Sequence, residues 1–364
     1  MSESIHSIHI VGSRQFGGAE HFFLRLMHLL REAGHPVTGI TRRGTPVAAA
    51  VAADCIDQIH VPMINGWDLW SCWRLRRMFS GQSPCIVQTY MGRATRLTRL
   101  APRQPAVHVA RLGGYYRIDG YYRHAHAWVG NTRALCDYLV REGLPAKRVF
   151  YIGNCVPEPA PATPTEVAAV RERHGLGTAW VLFSLGRLVD HKGYTDLLRA
   201  LALLPPEIGG QPWVMLIAGD GPEAPALRAL ATELGLEGRV RWLGWQDRPD
   251  RFFAVADVFV CPSREEPLGN VILEAWSHGL PVLSTATAGA TELIEPDATG
   301  LLCPIEDPSA MARHLSALLS ASEGERASLG AAGRRFLEAQ FSRDAIRDAY
   351  LDLYRQLLAW RGEA

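Results

Sequence analysis

The sequence predicts an α/β protein of two domains, each built around a parallel sheet. Three observations carry this expectation. Short β-rich runs alternate with helical patterns along the whole chain, the rhythm of βαβ units rather than of a sandwich or bundle. The rhythm is played twice, and a proline-rich stretch separates the two passages. A chain of 364 residues also matches two domains at about 150 residues each.

In the first passage the expected strands are Ile8–Val11, Val37–Thr41, Ile59–Val61, Ile86–Thr89, Val107–Arg111, Ala127–Gly130 and Val149–Ile152, with helices that include Ala19–Ala33 and Thr132–Glu142. Residues 154–165 then carry Pro157, Pro159, Pro161 and Pro164, a composition that continues neither a helix nor a central strand. In the second passage strands are expected at Val181–Ser184, Val214–Ala218, Val240–Leu243, Val258–Cys261 and Pro281–Thr285, each followed by a helical stretch. The last run, Asp344 to Trp360, is amphipathic through Ile346, Tyr350, Leu353 and Leu357, and it is free in sequence to pack on either domain. The expected divisions are 1–157, 158–341 and a terminal helix 342–364. Two such halves imply a cleft between the carboxyl ends of two sheets, where ligands of parallel sheets bind.

Composition narrows the class. With 48% hydrophobic and 21% charged residues the chain is ordinary globular protein rather than disordered or collagen-like. No apolar run approaches the ~18 residues of a membrane span, and residues 1–11 lack the pattern of a signal peptide. Seven cysteines without a C-x-x-C pair argue for a reducing, cytoplasmic setting. There is no H-E-x-x-H and no D-x-D, so no metal is expected. His124 and His126 form an H-x-H pair with no further ligands around it, which reads as structural.

Near-zero net charge hides an asymmetry: residues 1–160 hold 19 Lys+Arg against 10 Asp+Glu, a net +9, while the remainder is −8. The basic half is suited to an anionic partner such as a phosphorylated glycan, a membrane surface or a nucleic acid. Arg93, Arg96 and Arg99, three apart, would share one broad helix face. Upstream, Trp67, Trp70 and Trp73 stand at helical spacing beside Arg74, Arg76 and Arg77. That is the make-up of an interfacial helix; its ordinary reading is a helix that buries its tryptophans against a sheet.

Three loops carry the candidate chemistry. After the first strand, Gly17-Gly18 open a helix, which reads as a tight turn or as amides offered to an anion. After Val181–Ser184, Gly186-Arg187 and Lys192-Gly193 set two cations at a strand's carboxyl end, suited to a diphosphate. The third stretch, Cys261 to Val282, reads as strand, loop, short helix, Gly stop, Pro and strand. Glu266 falls in its loop and Glu274 about one turn into its helix, while the amides of Gly269 to Val271 face outward at the helix start. Carboxylates accept paired hydroxyls, so the two glutamates fit a sugar and a ribose.

Together, Glu266-x7-Glu274, Gly279-Leu-Pro281-Val, Ala288-Gly289-Ala-Thr-Glu292, Gly17-Gly18-Ala-Glu20, Gly186-Arg187, Lys192-Gly193 and Gly219-Asp220-Gly221-Pro222 resemble, in order and over nearly the whole chain, the family 4, group 1 retaining glycosyltransferases of the GT-B fold. Arg111-Leu-Gly-Gly-Tyr-Tyr116 and Glu266-Pro-Leu-Gly-Asn270 look most like bacterial enzymes that build lipopolysaccharide or other surface glycans. The resemblance implies two Rossmann-like domains facing across a cleft. It implies that Arg187 and Lys192 bind the donor diphosphate, Glu274 the ribose, Glu266 the transferred sugar, and Leu268, Gly269, Asn270 and Val271 the sugar and phosphate. Gly17 and Gly18 would approach the donor from the other domain, and Trp245 would lie near the base. Two departures stand out: Pro267-Leu268 replaces the usual Gly-Phe, and Arg111-Leu112-Gly113 replaces an acceptor-side His-Gly. His108, Arg111 and Tyr115 are the candidates for that missing role.

The function expected is transfer of a sugar from a nucleotide diphosphate sugar to an anionic glycan or lipid-linked acceptor, with retention, without a metal or other cofactor, at the inner face of the membrane. No nucleic-acid partner is implied. The alternatives are a nucleotide-sugar epimerase on a similar fold, which would turn over without an acceptor, and a non-catalytic nucleotide-sugar-binding scaffold.

Overall fold

The computed structural model describes residues 4–80, 84–102 and 104–362, with the side chains of 361 and 362 left aside. The chain forms two compact units, one from residues 1–155 together with 342–364 and the other from residues 156–341. The division therefore falls two residues before the expected one, and the terminal helix belongs to the first unit. Counted over these units the charge asymmetry widens, to 23 basic against 13 acidic residues in the first and 15 against 24 in the second.

The first unit runs β1 (Ser7–Val11), α1 (Gly18–Glu32), β2 (Val37–Thr41), α2 (Pro46–Ala53), β3 (Gln58–His60), α3 (Leu69–Met78), β4 (Ile86–Tyr90), α4 (Met91–Leu97), β5 (Val107–Leu112), β6 (Ala127–Gly130), α5 (Arg133–Arg141) and β7 (Val149–Tyr151). Its strands pair in parallel in the order β3-β2-β1-β4-β5-β6-β7. β1, β4, β5 and β6 are buried along their whole length, as continuous apolar runs in a parallel sheet covered on both faces should be.

The second unit runs α6 (Pro164–Arg173), β8 (Trp180–Leu185), α7 (Tyr194–Ala202), β9 (Glu207–Ile208), β10 (Gln211–Ala218), α8 (Ala224–Glu233), β11 (Val240–Gly244), α9 (Asp250–Phe253), β12 (Val258–Cys261), α10 (Asn270–Ser277), β13 (Val282–Thr285), α11 (Ala288–Leu293), β14 (Leu301–Cys303), α12 (Pro308–Ser320) and α13 (Glu323–Gln340). Its parallel order is β11-β10-β8-β12-β13-β14, with β9 antiparallel on β10. β9 and β14, two and three residues long, were not expected, because so short a run carries no readable alternation. The linker is also shorter than its prolines suggested. Pro164 is the first residue of α6, behind a Thr163 cap closed by Glu166, a position where the missing N–H costs nothing.

The last helix, α14 (Arg343–Gly362), is held to the first sheet by a buried polar chain. Tyr354 donates to Gln88 Oε1 at 2.7 Å, Gln88 donates to the Tyr90 hydroxyl at 2.8 Å, and His9 bridges Tyr90 (2.9 Å) and Ser7 (3.0 Å). Phe22 against Tyr350, Phe150 against Trp360 and the Arg343–Glu32 ion pair fix the rest of its path.

Two expectations about the basic stretches are corrected. α3 buries Ser71 and Leu75, and Phe79 just beyond it, an i, i+4, i+8 stripe that turns Trp67, Trp70 and Trp73 outward at 74%, 52% and 54% exposure. Each exposed ring carries an arginine: Arg96 lies 3.5 Å over Trp67, Arg74 5.2 Å over Trp70 and Arg77 5.4 Å over Trp73. Arg93, Arg96 and Arg99 do not share a helix face, since α4 ends at Leu97 with Thr98 as its cap. Arg93 instead donates to the Gly12 carbonyl at 3.1 Å.

Burial of histidine makes the first unit acid-sensitive. Burial, aided by the charge of His6, pushes His9 down to about 3 from an ordinary 6.5, and burial with His124 and His126 also lowers His108. Between pH ~6.5 and ~3 the unfolded chain then holds protons that the folded chain refuses, so stability falls as pH drops through that window, by up to about 1.4 kcal/mol per pH unit for each such histidine. Melting temperature followed against pH should show this loss, and His9→Gln should flatten the slope.

Candidate functional site

In the second sheet the chain moves from β8 to β10 and β11 on one side, then returns to β12 and continues to β13 and β14 on the other. The loops that leave β8 and β12 therefore diverge at their carboxyl ends, which is the position where open α/β sheets bind ligands. Both loops carry the residues expected from sequence. Arg187 and Lys192 follow β8; Glu266 and Leu268 to Val271 follow β12.

The two loops are tied together by backbone and by charge. Arg264 and Glu265 donate their amides to the His191 carbonyl at 2.9 and 3.2 Å. The Arg264 guanidinium reaches Asp196 through Nε at 2.8 Å and a second nitrogen at 3.1 Å, and Asp190 at 2.8 Å. Glu306 completes the group at 3.2 Å. The bond to Asp196, with the neighbouring carboxylates, pushes the Arg264 pKa above its already high value. Gly193 is the point of closest approach. It has φ +67°, and a Cβ there would sit 1.9 Å from the Pro262 carbonyl oxygen, so only glycine lets the β8 loop lie on the β12 loop.

On this frame Lys192 Nζ and Glu266 Oε2 are hydrogen-bonded, both side chains mostly shielded from solvent. Ser263 lies 3.4 Å from the same carboxylate oxygen, and the Glu266 carbonyl accepts from Gly289 N at 3.0 Å. Gly269, at φ +89°, caps α10, and the buried Leu268 precedes it. Glu274 is the fifth residue of α10 and is half-buried. Arg187 is exposed. Trp245, also exposed, follows β11 and donates to Asp247 at 2.9 Å.

The first-unit candidates divide. Gly17 is the extended N-cap of α1, and its amide is already bonded to Glu20 Oε2 at 2.9 Å, so the turn is closed by the protein's own carboxylate, with Gly18 beginning the helix. His108 is the second residue of β5, fully buried, and shares a hydrogen bond with Thr89 at 2.9 Å. It lies toward the strand's amino end, and the structure does not bring it to the carboxyl edge. Arg111 is near that edge, buried, 4.0 Å over the Phe22 ring and donating to Asn154, with Nε unpartnered. Tyr115 is exposed and packs edge-on to Tyr138 at 5.3 Å. His124 Nε2 donates to the Thr95 and Thr98 carbonyls, and His126 accepts from the His108 amide, bonds that hold backbone.

A family model described as Glycosyl transferases group 1 matches residues 167–336, and one described as Glycosyltransferase Family 4 matches residues 16–158. The lipopolysaccharide core biosynthesis glycosyltransferase LpsE of Rhizobium meliloti is 35% identical over 93% of this chain and 95% of its own. The chain belongs to the group 1 glycosyltransferases of family 4. LpsD of the same organism, also a lipopolysaccharide core biosynthesis glycosyltransferase, is 30% identical over 95% of this chain and 97% of its own. Among solved structures, a glycosyltransferase from Rickettsia africae superposes with a TM-score of 0.87 at 18% identity, covering 98% of this chain and 99% of that one. Anabaena HepE in complex with UDP and glucose gives 0.84 at 18%, covering 97% and 100%. These likenesses are of fold, and the fold class of this glycosyltransferase is GT-B.

Sequence reading missed Arg264 and Asp196 in the glycosyltransferase, because an arginine beside Glu265 and an aspartate 68 residues away give no local signal of pairing. Loss of the pair should be costly. Arg264→Met leaves Asp196, whose side chain is 5% exposed, as a buried unpaired charge, and the penalty expected is about 3 kcal/mol. Urea unfolding should register that loss, with Arg264→Lys recovering only part of it because lysine lacks the fork.

Proposed function

We propose that this glycosyltransferase moves a sugar from a nucleotide diphosphate sugar to an anionic glycan or lipid-linked acceptor in the synthesis of bacterial lipopolysaccharide or a related surface polysaccharide. The observation that carries the proposal is the Lys192–Glu266 contact at the carboxyl edge where β8 and β12 part, beside the start of α10. Similarity to LpsE and LpsD over nearly their full lengths supports the lipopolysaccharide assignment. The complex of HepE with UDP and glucose supports a nucleotide diphosphate donor.

In this reading bond breakage puts negative charge on the leaving diphosphate, and Lys192, Arg187 and the amides at the start of α10 stabilise it. Charge that is preorganised in this way is felt most in the transition state, where it lowers the barrier. Glu266 orients Lys192 and accepts hydroxyls of the transferred sugar, and Glu274 accepts those of the ribose. The acceptor attacks from the face the leaving group vacates, with a phosphate oxygen taking its proton, so configuration is retained. No metal and no cofactor beyond the nucleotide sugar takes part. Arg111 and Tyr115 serve the acceptor side. An epimerase or a silent scaffold is less well supported, since the relatives named above are glycosyltransferases.

The membrane is the second part of the proposal. Ile64, Trp67, Leu69, Trp70 and Trp73 are all exposed, with arginines over three of the rings, on a unit with ten more basic than acidic residues. No helix among the described residues is long and apolar enough to cross a membrane. Aromatic rings with basic neighbours suit the interfacial layer of an anionic bilayer, so the enzyme works peripherally, at the cytoplasmic face.

Arg187→Ala and Lys192→Ala should each lower turnover about 10²-fold, the scale of losing one transition-state donor, and wild-type turnover should survive excess EDTA. Sugar-transfer assays with a panel of nucleotide sugars check both, and full activity in either variant or abolition by EDTA with rescue by Mg²⁺ would reject the scheme. For the membrane, the protein should sediment with anionic but not neutral vesicles, less so at high salt. Trp67→Ser/Trp73→Ser should abolish that sedimentation.

A further inference from the structure

At the carboxyl ends of β2 and β3, far in sequence from the donor loops, lies a cavity of about 590 Å³ whose lining includes Arg42, Arg43, Gln58, His60, Ile64 and Arg74 and no acidic residue. We propose that this cavity binds a phosphate group carried by the acceptor. The inference rests on the anionic acceptor proposed above and names the chemistry by which it is held.

Arg42 carries the argument. It is 9% exposed, and the one hydrogen bond it donates among the described residues goes to the Met63 carbonyl at 2.9 Å. A guanidinium has five N–H donors; those of Arg42 not given to Met63 open on the cavity it lines, and holding this cation largely out of bulk water without a charged partner carries a cost that an anion there relieves. The surroundings add to that cost: burial, then the charges of Arg14 and Arg93, lower the Arg42 pKa, and Asp68 alone opposes them. Asp68 is itself occupied, accepting from Ser71 N, Ser71 Oγ and Ile64 N at 3.0, 2.7 and 3.0 Å. Among the described residues, none of Arg14, Arg42, Arg43, Arg74 and Arg93 is ion-paired to a carboxylate.

Phosphate fits this setting better than a lone carboxylate, because its oxygens can take forked bonds from more than one guanidinium at once. The rim explains what the phosphate is attached to. Ile64 lines the cavity and is exposed, and Arg74 joins the cavity to the aromatic face by lining the one while lying over the exposed Trp70 of the other. A phosphate entering here belongs to a molecule that lies along the aromatic face: a phospholipid headgroup, or a phosphorylated saccharide at the membrane surface. From the cavity, the Arg42, Arg14 and Arg93 charges continue toward the β1 loop, where Arg93 binds the Gly12 carbonyl.

The test compares the full chain with Arg43→Gln/Arg74→Gln and with a charge-matched control, Arg117→Gln/Arg141→Gln, whose residues are exposed elsewhere on the same unit. Probes are glycerol phosphate against glycerol, and phosphatidylcholine vesicles with and without phosphatidic acid. Tryptophan fluorescence and sedimentation are the readouts, with circular dichroism to confirm folding. Glycerol phosphate should bind, glycerol should not, and the cavity variant should weaken the phosphate probe about tenfold while the control does not. Loss of free glycerol phosphate binding alone identifies a saccharide phosphate as the source; loss confined to phosphatidic acid vesicles identifies a headgroup. Either supports the subsite. Equal weakening by the cavity variant and the control, or no phosphate-dependent binding by the wild type in either form, overturns it. Trp67→Ser/Trp73→Ser separates this result from the membrane reading, since it should lose vesicles and keep glycerol phosphate.

Discussion

Arg264 holds the β12 loop onto the β8 loop, and the candidate site hangs from that junction. Its guanidinium spans Asp196 on α7 and Asp190 in the loop before it, while its own amide and that of Glu265 close on the His191 carbonyl. With Gly193 pressed against Pro262, no freedom is left for the loops to slide. Lys192 and Glu266 meet as a consequence, from positions 74 residues apart. In the proposed transfer, a cation whose position is set in advance by such contacts has little reorganisation left to do when charge develops on a leaving group.

The same economy of position runs through the first unit, by a different interaction. There a chain of buried hydroxyl, amide and imidazole groups, from Ser7 through His9, Tyr90 and Gln88 to Tyr354, binds the last helix of the chain to the first strand. Each member has a partner, which is what makes burial of so many polar groups tolerable. α14 covers this face with four arginines against three aspartates, so most of the excess positive charge of the unit is left to the loops and to α3 and α4. Charge and exposed aromatic surface therefore concentrate at one region, around Trp67 to Arg77 and the cavity behind it.

Much of this was legible in the amino-acid order. The two parallel sheets could be read because a strand buried on both faces must be a short continuous apolar run, and nearly all of the expected strands match the observed ones within one residue. The placing of Glu266 in a loop and Glu274 in the following helix was likewise readable, since Gly269 and Gly279 punctuate that helix at both ends. Short-range signals of this kind need nothing beyond the neighbouring residues.

What the sequence could not decide depends on partners distant in the chain. Whether Trp67, Trp70 and Trp73 faced the sheet or the solvent turned on which stripe of α3 the sheet accepted, and Ser71, Leu75 and Phe79 took it. His108 had the right chemistry for an acceptor site, yet its place at the second position of β5 buried it against Thr89. Arg93, Arg96 and Arg99 had helical spacing, but α4 stopped before the third. By itself the sequence determined the fold class and which residues follow which strand, because hydrophobic periodicity and glycine conformation are local. Tertiary structure decided which side chains meet and which stay exposed, because a helix face or a loop arginine acquires its role only from the surface packed against it.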